Sequence, residues 1–180
     1  MQDSRQSCRK HHHIFALSNA NNLIYYIMKT KILSVFIALL SMATFAQSAA
    51  KRTSEYNLGK KVAIQGYDPV AYFTQKKAVK GKESFAATYE GVIYNFANQA
   101  HKDLFLKSPA QYEPQYGGWC AYAMGSTGEK VEVDPETFKI VDGKLNLFYN
   151  AFFNNTLKSW NKDEKNLKAK ADISWKKIIK

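Results

Sequence analysis

The chain is poor in the residues from which most recognisable chemistries are built. Its 180 residues include two cysteines and four histidines, and beyond residue 50 only Cys120 and His101 remain. That scarcity excludes an internal disulfide in the later part, a zinc finger made of Cys and His alone, and a paired-cysteine redox motif. No phosphate-cradling glycine loop, dinucleotide fingerprint or HExxH motif occurs, and no internal repeat is visible. The apolar run Ile32–Leu40 is well short of the ~20 residues that span a bilayer comfortably. What remains is 46% hydrophobic and 14% aromatic content, enough for one compact domain and too much for wholesale disorder.

The net charge is +11, unevenly spread. Residues 51–180 hold 21 basic and 14 acidic residues, and the stretch 158–180 alone holds eight lysines against three acids. No arginine-rich cluster accompanies them. Lysines spaced along an amphipathic helix keep its outer face solvated, so neither a nucleic-acid partner nor stable membrane insertion is expected.

From Met28 the chain reads as two lysines, the apolar run and then small residues, the layout of a secretory signal peptide. The expected organisation is a leader at 1–27 upstream of the natural start at Met28, a signal peptide at 28–50 cut after Ala46 or Ala50, and a single domain at 51–180. That domain is expected to be periplasmic or secreted. His11–His13 and Cys8 fall in the leader and are given no role.

Within the domain, Lys51–Asn57 reads as a polar lead-in. Asp68-Pro69 reads as a cap and first position of a short helix through Phe73, and Gln75–Lys82 as a basic loop. Phe85–Tyr89 and Val92–Phe96 flank Glu90-Gly91 as a hairpin. Asn98 caps a helix from Gln99 to Lys107 with Ala100, Leu104 and Phe105 inward, followed by a turn at Pro109–Tyr112. Trp119–Met124 is apolar enough to be buried but too short to assign to helix or strand. Asp134-Pro135 repeats the cap-plus-proline device, and a second hairpin pairs Phe138–Val141 with Leu145–Tyr149. From about Ala151 the spacing predicts two amphipathic helices separated near Asn161–Asp163 or Ala171–Asp172. Strands and helices without regular β-α alternation predict an α+β fold of small antiparallel hairpins packed with short helices.

His101 sits near the start of its helix, where the positive helix end disfavours charge on the ring and leaves a lone pair for a metal or a proton. Cys120 follows Gly117-Gly118-Trp119, and two glycines allow close approach of the backbone to another group. An unpaired thiol in an oxidising compartment must be buried, metal-bound or used. Two such ligands alone give an open site completed by carboxylate, Met124, tyrosine, water or a second chain, unlike a closed structural zinc site.

Tyr94-Asn95-Phe96, His101, Phe105, Ser108-Pro109 and Tyr112 resemble the YHS domain, a short module found beside copper-transporting ATPases and some hydroxylases. GYDPVAYF at 66–73, YGGWCAYAMG at 116–125, Asp134-Pro135 and VDGKLNLFYN at 141–150 extend the resemblance to exported, stand-alone bacterial YHS proteins over residues 62–176. The resemblance implies a metal-binding module, with copper or zinc as the cofactor. Here Ala97 and His101 occupy the places where many such modules carry cysteines, and Asn146 and Phe148 stand where a tyrosine and an asparagine are expected. The expected function is a non-enzymatic binding protein with His101 and Cys120 as metal ligands and no catalytic residue. Tyr67, Asp68, Tyr94, Tyr116 and Trp119 are the candidates for lining or supporting that site. Two alternatives stand beside it: a thiol redox enzyme or sensor in which His101 activates Cys120, and a module binding a small ligand or protein partner with Cys120 merely buried.

Overall fold

A computed structural model describes Met28, Lys29, Lys31 and residues 48–180. The chain divides into units Met1–Ala46 and Gln47–Lys180. In the first, Met28, Lys29 and Lys31 are helical; the apolar run, His11–His13 and Cys8 lie outside the described residues.

The second unit is α+β, as the order of elements predicts. Helix α1 covers residues 48–55, where the sequence reads only as a polar lead-in. Strands β1 (Leu58–Gly59) and β2 (Val62–Ala63) reverse at Lys60-Lys61, both at positive φ. A single 3-10 turn at Ile64–Gly66 leads to α2 (Ala71–Thr74). The first predicted hairpin is β3 (Lys82–Tyr89) and β4 (Val92–Phe96), reversed by Glu90-Gly91 with φ of 44° and 82°. Two left-handed residues match the twist of a two-residue hairpin. Strand β2 joins β4 in parallel through Val62 and Ile93, giving the order β1-β2-β4-β3.

Helices α3 (Gln99–Lys107) and α4 (Pro109–Tyr112) follow as predicted, and the Asn98 side chain accepts the His101 N–H at 2.9 Å. The inner face of α3 is a correction. His101 and Phe105, four residues apart, are buried, while Ala100 and Leu104 face solvent. Phe105 decides the rotation of the helix, because its ring lies 4.7 Å from that of Tyr94 and 5.1 Å from that of Phe96. Val92, Tyr94 and Phe96 alternate along β4 and form one core with Tyr72, Leu145 and Leu147.

A 3-10 turn at Gln115–Gly118 precedes α5 (Ala121–Ser126), which types the apolar stretch the sequence left open. The second hairpin is β5 (Asp134–Val141) and β6 (Lys144–Phe148), reversed by Asp142-Gly143. Asp134-Pro135 opens no helix. The Asp134 carboxylate accepts the Glu136 N–H at 3.0 Å and the Thr137 hydroxyl at 2.8 Å, a local turn absorbed as an irregularity of β5.

The C-terminal part is also corrected at its start. A further hairpin, β7 (Asn150–Ala151) and β8 (Asn154–Asn155), comes before α6 (Thr156–Trp160) and α7 (Glu164–Ile179). The break between the two helices falls at 161–163, one of the two predicted places. Leu167 and Ala171 are buried on α7, with Trp175 and Ile178 partly buried along the same stripe, over a second core of Met124, Phe148 and Trp160.

The α5–α7 crossing depends on a missing side chain. A Cβ on Gly125 would lie 2.4 Å from the Leu167 carbonyl oxygen, against backbone that cannot swing away. Gly125→Ala is expected to lower stability by about 3 kcal/mol in urea unfolding, the overpacking cost exceeding the helix-propensity gain of about 1 kcal/mol. Gly59→Ala, with nothing within 4 Å of the added carbon, serves as the near-neutral control.

Candidate functional site

The best-defined polar arrangement centres on Asp68. Its side chain is fully buried at the entry to α2. Oδ1 accepts the N–H groups of Val70 at 2.8 Å and Ala71 at 3.3 Å, which is the predicted capping role. Oδ2 accepts the Ala97 N–H at 2.8 Å and meets His101 Nδ1 at 2.6 Å. One carboxylate thus ties the start of α2, the end of β4 and the first turn of α3. Because a carboxylate only accepts, Nδ1 carries the proton in this contact. The other ring nitrogen, Nε2, lies 3.4 Å from the Thr74 hydroxyl at the end of α2. The imidazole is fixed in orientation and its side chain is 10% exposed.

Cys120 is the residue before α5, where it pairs with Leu147 of β6 in a parallel bridge. Its sulfur is 3.4 Å from the Thr156 hydroxyl and accepts the Tyr149 N–H at 3.4 Å. The residue is 0% exposed. His101 and Cys120 share no hydrogen-bond partner. Among the described residues there is no group of three or more His, Cys, Asp or Glu placed to hold a metal ion.

The two glycines before Cys120 differ in role: Gly118, at φ 86°, meets only ordinary contacts and serves the turn, while Gly117 serves packing. Gly117, at φ 60°, would place a Cβ 2.7 Å from the Trp175 ring and 2.9 Å from that of Tyr56, so its bareness lets Tyr56, just after α1, and Trp175 of α7 close over it.

Of the expected supporting residues, only Asp68 bonds to His101. Tyr67 donates to Glu136 at 3.2 Å, with the Lys80 ammonium 4.0 Å above its ring. Tyr116 donates to Asp172 at 3.0 Å, and Trp119 donates Nε1–H to the Glu55 carbonyl at 2.7 Å. Tyr94 is buried and donates to Glu113. These hydroxyls and the indole each brace the fold through a different partner. A surface cleft of about 440 Å³ is lined by Thr53, Ser54, Leu58, Lys61 and Gly91, with no aromatic side chain among them. Phe148 packs on Trp160 at 5.5 Å, and Asn146 is buried with its Oδ1 unpaired.

The residues that sequence reasoning missed form a cation site around Arg52. Its guanidinium donates to Glu113 and to the Tyr56 hydroxyl at 2.6 Å, with Glu90 3.3 Å from Nε. It also lies 4.5 Å and 5.4 Å from the ring centroids of Tyr56 and Tyr89. Burial pushes the Tyr56 phenol up to about 12, opposed in part by Arg52, and burial raises Tyr94 well beyond the ordinary tyrosine range, with Glu113 adding to it. No local signal marks this cluster, because Arg52 and Glu113 are 61 residues apart.

Compared with known proteins, the chain matches no family model, no curated protein and no solved structure.

Proposed function

We propose that the chain is an exported, non-enzymatic binding module of YHS type in which Cys120 is a core residue. The observation that carries this reading is the surroundings of the sulfur. It is fully buried and held between the Thr156 hydroxyl and the Tyr149 N–H, so neither a substrate nor a metal reaches it without local opening. A nucleophilic or redox thiol needs an accessible, activated sulfur, and no imidazole among the described residues is bonded to this one. In a Cys8→Ser chain, a disulfide reagent is expected to modify Cys120 at least ~1000-fold more slowly than an unfolded thiol, in step with local opening. Rapid modification of the folded protein would remove this reading and restore the thiol alternative.

A second reading is favoured by the Asp68–His101 pair. Metal-binding histidines commonly donate their second N–H to a carboxylate, which fixes the ring and raises the basicity of the ligating nitrogen. In this reading copper or zinc sits on Nε2 beside Thr74, and Cys120 takes no part. Calorimetric titration with either metal, with His11–His13 replaced by alanine throughout, distinguishes the two. Binding lost in His101→Ala and retained in Cys120→Ser supports the metal module; equal affinity in both variants rules it out.

A further inference from the structure

The β7–β8 hairpin joins two properties that folded proteins rarely combine. Its two turn residues are Phe152 and Phe153, at φ 49° and 64°. Both are left-handed conformations that bulky side chains disfavour. Both rings are also almost bare, at 89% and 112% exposure. The same chain reverses β3–β4 with Glu90-Gly91 and β5–β6 with Asp142-Gly143, placing glycine at the second turn position, while β1–β2 reverses with two flexible polar residues, Lys60-Lys61. The β7–β8 turn has the same length and backbone hand but carries bulky phenylalanine at both positions.

The tip stands on a rigid base. Asn150 donates to the Thr137 hydroxyl of β5 at 3.0 Å, the Thr156 N–H and hydroxyl both donate to the Tyr149 carbonyl, and Asn155 caps α6 by accepting the Leu157 N–H. A convex pair of rings held out from the surface suits a soft medium that closes around it. The helices that the hairpin feeds carry the charge that would hold them against such a medium. Lys158, Lys162, Lys165, Lys170, Lys176 and Lys177 have no carboxylate partner among the described residues. No helix among those residues is long and apolar enough to cross a membrane.

We infer that the Phe152–Phe153 turn is an insertion wedge through which the domain docks on an anionic lipid surface, the rings entering the acyl boundary and the lysines of α6 and α7 meeting headgroups. The inference gives the proposed binding module a surface to bind. The test of Cys120 burial is independent of it, so either can fail alone.

The direct test places an environment-sensitive fluorophore at the tip of the full-length chain, on Phe153→Cys in a Cys8→Ser background. Vesicles of phosphatidylcholine with about a quarter phosphatidylglycerol are expected to shift the emission to the blue by about 10 nm or more, and about 0.5 M salt to reverse it. Pure phosphatidylcholine vesicles should leave the emission unmoved. A tip whose emission ignores anionic vesicles, or responds equally to neutral ones, overturns the inference. The companion variant is Phe152→Asn with Phe153→Gly, which supplies the residues the turn prefers. It should melt about 4 °C higher while its partition onto anionic vesicles falls at least tenfold. Unchanged partition in a protein that has become more stable would also overturn it.

Discussion

Raising the pH above 10 is expected to unfold this domain cooperatively, because four of its phenols cannot ionise in place. Burial raises Tyr56 to about 12 and drives Tyr72, Tyr94 and Tyr116 higher still. Tyr72 donates to the Pro135 carbonyl at 2.9 Å, Tyr94 to Glu113 and Tyr116 to Asp172, so each phenolate would lose a bond, two of them beside a carboxylate. In the unfolded chain the same groups ionise near pH 10. Above that pH the unfolded state releases protons that the native state retains, so stability present below pH 10 is lost as the pH rises. Four such groups give a limiting slope of about 5 kcal/mol per pH unit, nearer 4 once partial solvation of Tyr56 is discounted. Against a total stability of about 5–15 kcal/mol, the transition falls between about pH 11 and pH 13. Phenolate absorbance and circular dichroism should change together, and Tyr94→Phe should flatten the slope by about a quarter. A gradual titration of all eleven tyrosines with the fold intact would contradict this account.

Asp68→Ala is expected to be the most damaging single substitution in the first core. It removes one acceptor group and strands the N–H groups of Val70, Ala71 and Ala97 and the Nδ1–H of His101. Each buried donor left unpaired costs about 1–3 kcal/mol. With relaxation around α2, the loss in urea unfolding should be about 3–5 kcal/mol. Asp68→Asn should be nearly as severe. If its oxygen keeps Val70 and Ala71, its amide hydrogens face two other donors. His101→Ala removes only one of these four bonds and should cost clearly less. A loss below about 1 kcal/mol for Asp68→Ala would mean that the hub is not a structural tie.

The sequence was most informative where the cause was local. Glu90-Gly91 and Asp142-Gly143 carry their turns within the pair, Asn98 caps its own helix, and the stripe of Leu167, Ala171 and Trp175 is written at helical spacing. The missed elements depend on distant partners. Helix 48–55 has no apolar stripe of its own and is held by Arg52 on Glu113, 61 residues away. Strands β1 and β2 are two residues each, too short to show alternation. Asp134-Pro135 shows the limit of a short motif, since the same capping chemistry serves a helix start or a turn inside a strand.

The candidate site divides in the same way. Asp68 is legible as a cap, but its bond to His101 crosses 33 residues and leaves no trace in spacing. Cys120 is legible as an unusual thiol, but Thr156 and Tyr149, its actual neighbours, lie 36 and 29 positions further on. Two rare residues 19 apart invited a shared role, and the fold gives each a different set of partners.

Gly117 links regions that are remote in sequence. Tyr56 and Trp175 approach to 5.7 Å between ring centroids and meet over its bare Cα, so the residue that follows the first helix of the domain touches the last helix there. The domain is therefore buckled head to tail. Shortening it at the front loosens the back, and fraying of the final turn frees the opening segment, so neither terminus is a neutral place for a fusion or a tag.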